Sequence, residues 1–322
     1  VKKVFVSERI PRFVEEYLRN HCDVERWEEK GEIPRDLLLE KLKDKDGLLM
    51  FGESIDEELL QVAPKLQAVS TVSVGYDSFD IEVMRKHGII GLHTPYVLDD
   101  TVADLVVGLM LSVARRIAEL DAYVKAGKWN KAVGKDLFGI DMHHKTVGII
   151  GMGRIGEVIA KRVKYGFDMN VLYYNRSRNK EAEEKYGAAY CSLEELLTQS
   201  DYVVLMTPLT DETYHLIGTE QFRLMKDSAV FINASRGQTV DEAALIAALQ
   251  NGEIYGAGID TFTQEPVEKD NPLLQLKNVV TVPHIGSATL QTRQEMAMVA
   301  AKNLVEALSG GNPPYIVKEL RS

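Results

Sequence analysis

TVGIIGMGRIG, residues 146–156, stands one helix length ahead of NVLYYNRSR, residues 170–178. The β-branched apolar run Thr146–Ile150 reads as a strand, and it opens into Gly151-Met152-Gly153-Arg154-Ile155-Gly156. A strand that enters G-x-G-x-x-G and continues as a helix is a dinucleotide-binding turn. Gly151 makes the tight turn, Gly153 lets the backbone approach a pyrophosphate, and Gly156 lets the helix pack on the strand. Backbone N–H groups at the helix start, with the positive end of its dipole, bind the phosphates. The glycine pattern alone is weak, but here a strand precedes it, a helix follows and a second strand ends about 20 residues on.

The end of that second strand bears on the cofactor. NAD sites place an acidic residue there to accept from the ribose 2′-hydroxyl. This chain has Asn175, Arg176, Ser177 and Arg178 instead. No carboxylate repels a 2′-phosphate, and guanidinium groups match phosphate with paired donors. NADP(H) is therefore the preferred cofactor, with NAD(H) as the alternative. The plainer reading of both arginines is solvated loop charge.

The 322 residues suffice for two domains. With 45% hydrophobic and 27% charged residues the composition is that of a globular protein. A net charge of −10 argues against a nucleic-acid partner, which a basic face would serve. Anionic substrates must then be drawn by local positive groups. The two cysteines, Cys22 and Cys191, are far apart, so neither a disulfide framework nor a thiolate metal site is expected. The seven histidines show no zinc-ligand spacing, and no metal is expected. The charged N-terminus does not read as a signal peptide, and the longest apolar run, Leu105–Ala114, is too short to span a bilayer. A cytoplasmic protein without a membrane partner is expected.

The fingerprint lies mid-chain, so about 100 residues form something else first. There, strands at Lys3–Val6, Asp23–Trp27, Gly47–Met50, Leu66–Thr71 and Ile89–Leu92 alternate with helices at Pro34–Lys43, Asp56–Val62 and Asp80–His87. Such alternation implies a parallel sheet covered by helices. A single long helix is expected from Thr101 to about Ala126, bridging two domains and ending at Gly127. After the fingerprint come strands at Tyr202–Met206, Ala229–Asn233, Gly256–Asp260 and Val279–Val282, with a helix at Glu242–Gln250, which predicts a doubly wound sheet of about six strands. The last helix, Leu290–Leu308, follows that sheet, so the chain is expected to return to the first domain. The expected architecture is α/β, with two doubly wound parallel-sheet domains. A Rossmann-type nucleotide domain, residues 99–288, is inserted into a smaller flavodoxin-like substrate domain, residues 1–98 and 289–322. The active site is expected in the cleft between them.

Three polar motifs fall at strand ends, the ligand-binding edge of open α/β sheets. They are Asn233-Ala234-Ser235-Arg236-Gly237, Asp260-Thr261-Phe262-Thr263-Gln264-Glu265-Pro266 and Pro283-His284-Ile285-Gly286-Ser287-Ala288. Each side chain alone has a plainer role: Arg236 as a surface ion pair, Glu265 as a solvated loop carboxylate, His284 as a structural hydrogen-bonding group. Together they supply what hydride transfer to a 2-keto acid requires. Arg236 pairs with a carboxylate, His284 protonates the forming alkoxide, and Glu265 favours imidazolium and orients the ring.

These motifs, in order and spacing, resemble the D-isomer-specific 2-hydroxyacid dehydrogenases. The resemblance runs from SVGYDSFD (73–80) through HTP (93–95), TVADL (101–105), ARRIAE (114–119), GKW (127–129), GMGRIG, NASRG and the DTFTQEP loop to PHIGSAT (283–289). It is nearest to the branch of glyoxylate/hydroxypyruvate and 2-ketogluconate reductases. The resemblance implies that Arg236 holds the substrate carboxylate, that His284 is the acid/base with Glu265 as partner, and that Val74 and Gly75 bind the carboxylate through backbone N–H groups. Cofactor contacts carry over to Thr101, Gly153, Arg154, Ile155, Asn175, Arg176, Ser177, Arg178, Thr207, Pro208, Thr213, Ala234, Asp260, His284 and Gly286. Asp260 would meet the nicotinamide carboxamide. The resemblance also implies a homodimer paired through the nucleotide domain and the 100–145 region. The absence of a C-terminal regulatory module speaks against the longer phosphoglycerate dehydrogenases. The expected activity is NADPH-dependent reduction of glyoxylate, hydroxypyruvate or 2-ketogluconate to a D-hydroxy acid. The alternatives are an NAD(H)-dependent D-2-hydroxyacid dehydrogenase of another substrate and a nucleotide-sensing, corepressor-like binding protein.

Overall fold

In the computed structural model, which describes residues 1–321, the chain divides into two units. The first comprises Val1–Leu98 and Ala288 onward, the second Asp99–Ser287.

The first unit alternates β1 (Lys3–Val6), α1 (Arg12–Arg19), β2 (Asp23–Arg26), α2 (Arg35–Leu42), β3 (Gly47–Met50), α3 (Glu57–Val62), β4 (Ala68–Thr71), α4 (Ile81–His87) and β5 (Ile90–Leu92). All neighbours pair in parallel, in the order β2-β1-β3-β4-β5. That is the flavodoxin-like 2-1-3-4-5 order. β3 and β4 are buried along their whole length, as strands covered on both faces must be. Asp56 and Asp80 start α3 and α4 by accepting from the N–H groups of Leu59 and Val83.

The second unit contains α5 (Asp99–Ala114), α6 (Ile117–Lys125), β6 (Thr146–Ile150), α7 (Arg154–Phe167), β7 (Asn170–Tyr174), α8 (Lys180–Tyr186), β8 (Ala189–Tyr190), α9 (Leu193–Gln199), β9 (Tyr202–Leu205), α10 (Thr219–Leu224), β10 (Val230–Asn233), α11 (Glu242–Gln250), β11 (Gly256–Ile259) and β12 (Val279–Thr281). Its parallel sheet runs β12-β11-β10-β9-β6-β7-β8. Counted from β6 this is the Rossmann order with one further strand on the far edge. The crevice lies where the order reverses, between β6 and β9. α5 packs tightly on the sheet: a Cβ on Gly258 would stand 3.0 Å from that of Leu109. The chain then returns to the first unit as α12 (Leu290–Leu308). Ser70 Oγ on β4 donates to Ala300 O at 2.9 Å, and a Cβ on Gly47 would collide with Leu304 and Leu308.

Two expectations are corrected. The helix expected from Thr101 to Ala126 is two helices, both in the second unit, broken at Arg115-Arg116. Ile140 N donates to the carbonyl of Ala114, and Arg116 adopts φ 55°. Its guanidinium is held there by both Glu119 oxygens at 2.8 Å and by the carbonyls of Asp136 and Phe138. The second sheet has seven strands, not six, because the two-residue β8 adds to its edge.

Candidate active site

Three adjacent strands of the second unit, β10, β11 and β12, end side by side. After β10, the Asn233 side chain organises a turn. Its Oδ1 accepts from Ser235 N (3.0 Å) and Ser235 Oγ (2.8 Å), and its Nδ2 donates to Arg236 O (3.0 Å). This turn presents the half-buried Arg236, whose Nη1 also donates to Ser235 O at 2.8 Å. Gly237 has no room for a side chain: a Cβ would lie 1.9 Å from the carbonyl carbon of Phe262. The arginine turn therefore rests directly on the loop that carries Glu265.

That loop begins at Asp260, 1% exposed, whose oxygens accept from Ile285 N at 2.6 Å and Gly286 N at 3.0 Å. Burial is the largest influence on the Asp260 carboxyl and raises it above its ordinary value. The Asp260 carbonyl accepts from His284 N at 2.9 Å. His284 is thereby held in a left-handed conformation, φ 51°, rare for a residue with a side chain. Its Nδ1 lies 2.7 Å from Glu265 Oε2, while Glu265 Oε1 accepts from Phe262 N at 3.0 Å. Burial pushes the Glu265 carboxyl up. The hydrogen bonds from His284 and Phe262, with the charges of His284 and Arg236, more than offset this and leave it below its ordinary value. A guanidinium, an imidazole and a carboxylate from three loops thus meet at one sheet edge. The arrangement can bind an anion and move a proton beside it.

At the crevice between β6 and β9, Gly151 adopts φ 102°, and a Cβ there would meet Met206 O at 2.7 Å. A Cβ on Gly156 would meet Gly151 O at 2.5 Å, so helix and turn pack as the motif requires. A Cβ on Gly153 would meet open space, and the N-terminus of α7 has no side-chain cap. Thr207 Oγ1, at the end of β9, is buried without a hydrogen-bond partner. Room, uncapped N–H groups and an orphaned hydroxyl fit a bound dinucleotide. Arg154 Nε donates to Asp99 Oδ2 at 3.3 Å. Thr101 lies in the first turns of α5 and Ala234 just after β10. The Thr213 hydroxyl closes its own loop by donating to Pro208 O at 2.6 Å.

The segment after β7 divides in two. Arg176, Ser177 and Arg178 are exposed. Arg178 is engaged by Glu183 through Nε (3.0 Å) and Nη2 (2.7 Å) and lies over the Tyr190 ring. The Asn175 amide turns inward to the Met152 peptide, with Oδ1 accepting from Met152 N at 2.7 Å and Nδ2 donating to Met152 O at 3.1 Å.

In the first unit, Val74 and Gly75 lie half-buried in the loop after β4. His93 Nδ1 is 2.9 Å from Val74 O, and the Tyr76 ring meets His93 edge-on at 5.2 Å. Tyr76 donates to Glu319 at 3.0 Å, and burial followed by that contact pushes its phenol up to about 12. Sequence reasoning missed Asn233, Asn179 and the Tyr76–Glu319 bond as supports. An asparagine at a strand end, or opening a helix, was the available signal.

The family profile described as D-isomer specific 2-hydroxyacid dehydrogenase, NAD binding domain, matches residues 107–286. Glyoxylate/hydroxypyruvate reductase B from Yersinia pestis (strain Pestoides F) is 50% identical over 307 residues, 95% of this chain and 94% of that protein. The TT0316 protein from Thermus thermophilus superposes with TM-score 0.90 at 39% identity, covering 98% of this chain and 99% of the other. An NADPH-dependent glyoxylate/hydroxypyruvate reductase from Sinorhizobium meliloti, solved with NADP and malonate, gives TM-score 0.86 at 31% identity, covering 99% and 97%. The chain is an oxidoreductase belonging to the D-isomer specific 2-hydroxyacid dehydrogenase family.

Proposed function

We propose that the protein reduces a small 2-keto acid (glyoxylate, hydroxypyruvate or 2-ketogluconate) to the D-2-hydroxy acid, with NADPH preferred over NADH. The observation that carries this reading is the 2.7 Å contact of His284 Nδ1 with Glu265 Oε2, beside the Arg236 turn. When bound, the nicotinamide supplies the hydride. Glu265 occupies Nδ1, so His284 holds its transferable proton at Nε2 and gives it to the substrate oxygen. Arg236 pairs with the substrate carboxylate and draws charge toward the carbonyl oxygen. Val74 and Gly75 add backbone N–H groups. Arg176 and Ser177 read the 2′-phosphate, while Gly153, Arg154, Ile155 and Thr207 hold the pyrophosphate side. Residues 99–288 form the dinucleotide domain, and residues 1–98 with 289–322 the substrate domain.

The 50% identity to a glyoxylate/hydroxypyruvate reductase supports the substrate class, and the NADP-bound relative supports the cofactor. Free Cys22 and Cys191 suit a reducing compartment, the cytoplasm. Exposed apolar side chains between Ile117 and Phe138 support a homodimer. The test is NADPH consumption with each acid, chirality of the product resolved. His284→Ala should lower kcat about 10²–10⁴-fold. Near-normal turnover in that variant removes His284 from its role, and no consumption with any of the three acids overturns the substrate assignment.

A further inference from the structure

The geometry points to Asn179, acting with Asn175, as a positioning residue for cofactor selection: their amides fasten the Arg176–Arg178 segment to the Met152 peptide of the glycine turn. Asn179 Nδ2 donates to Met152 O at 3.1 Å and to Glu157 Oε1 at 2.7 Å. Its Oδ1 accepts from Ala182 N at 3.0 Å and caps α8. Asn175 grips the backbone of the same residue from the other end of the tripeptide, on both its N–H and its C=O. Only an amide side chain offers two donors and an acceptor at one site; a carboxylate donates nothing and a hydroxyl donates once. The backbone N–H of Asn179 donates to Tyr173 Oη at 2.7 Å, and Tyr173 donates to Glu183, the residue that holds Arg178. Both ends of the tripeptide and the Arg178 side chain are thus tied to β7 and to the glycine turn.

The reason is geometric. One molecule carries both the pyrophosphate and the 2′-phosphate, joined through a single ribose ring. The turn that binds the first and the segment that binds the second must keep a fixed separation. NADH lacks the 2′-phosphate, so loss of that register weakens NADPH selectively. This inference rests on the reading of Arg176 as the group that recognises the 2′-phosphate.

The test compares NADPH and NADH, with glyoxylate, in Asn179→Ser, Asn175→Ser and Arg176→Ala. Serine at 179 keeps a helix cap and adds no charge, but loses both amide donors. In Asn179→Ser the KM for NADPH should rise about five- to tenfold and that for NADH no more than about twofold, the scale of a lost buried hydrogen bond. Turnover and the KM for glyoxylate should stay at wild-type values. Asn175→Ser, which leaves the α8 cap intact, should raise the KM for NADPH by more than that for NADH. Equal weakening of both cofactors in both serine variants, or a fall in kcat with KM unchanged, overturns the positioning role. If Arg176→Ala abolishes the NADPH preference while the serine variants retain it, this inference fails and the cofactor reading stands. If Arg176→Ala leaves the preference intact, the cofactor reading itself fails.

Discussion

At the scale of single residues, the site depends on one hydrogen bond between unlike titrating groups. The Glu265 carboxyl lies below its ordinary value in the folded chain. Its contribution to stability is therefore full above the ordinary carboxylate range and is lost as pH falls through the depressed value. Near neutrality it is ionised. Glu265→Gln keeps an acceptor for Phe262 N but removes the charge. In the wild type kcat/KM should fall as pH drops through that depressed value, and Glu265→Gln should lack this acid limb and turn over more slowly at neutral pH. A pH–rate profile with the same acid limb in wild type and Glu265→Gln would show that the Glu265 charge has no part in turnover. Arg236, Glu265 and His284 were legible in the sequence because each follows a strand at the edge where ligands bind. Asn175 was legible as a position, but its inward-turned amide was not. Nor was Asn179, since an asparagine in a polar loop reads equally as a turn residue until its tertiary partner is known.

At the scale of elements, close backbone approach matters as much as helix and strand propensity. Gly237→Ala would drive a methyl group into the Phe262 peptide. It should cost about 1–3 kcal/mol in a denaturant titration and lower kcat by roughly 100-fold through displacement of Arg236 or Glu265. Unchanged melting together with unchanged turnover would mean that the two loops can separate freely. The central strands were readable because burial on both faces makes them continuous apolar runs. Other features were not, α1, β8 and the break at Arg116 among them. α1 buries only Val14 and Leu18 and follows a proline without a side-chain cap. β8 is two exposed residues that pair only because β7 offers an edge. The break at Arg116 is made by remote carbonyls and by Ile140, which no local pattern announces.

At the scale of the molecule, the alternation of strands and helices disclosed two parallel sheets, and the late helix disclosed the return of the chain. Surface assembly is less legible, because exposed apolar side chains also occur singly. In the second unit they cluster. α6 buries no residue at all, and Val124, Trp129, Val133 and Phe138 are each at least half exposed. Light scattering should give a mass twice the 36.0 kDa of the chain. Val124→Glu with Phe138→Glu should shift that mass toward the single chain. A wild-type mass of 36.0 kDa would remove the dimer from the proposal.

The division of the first unit between the two ends of the chain has a consequence for biosynthesis. β1 to β5 leave the ribosome first, yet the helix of the same unit in which Met296, Ala300 and Leu304 are buried follows only after the whole second unit. At about 5–20 residues per second, the early strands wait roughly 10–40 s for it. Meanwhile the uninterrupted block from Asp99 to Ser287 can mature on its own. A newborn chain therefore passes through a stage in which one half is finished and the other presents bare apolar surface. That interval is when holdase chaperones or self-association compete for it.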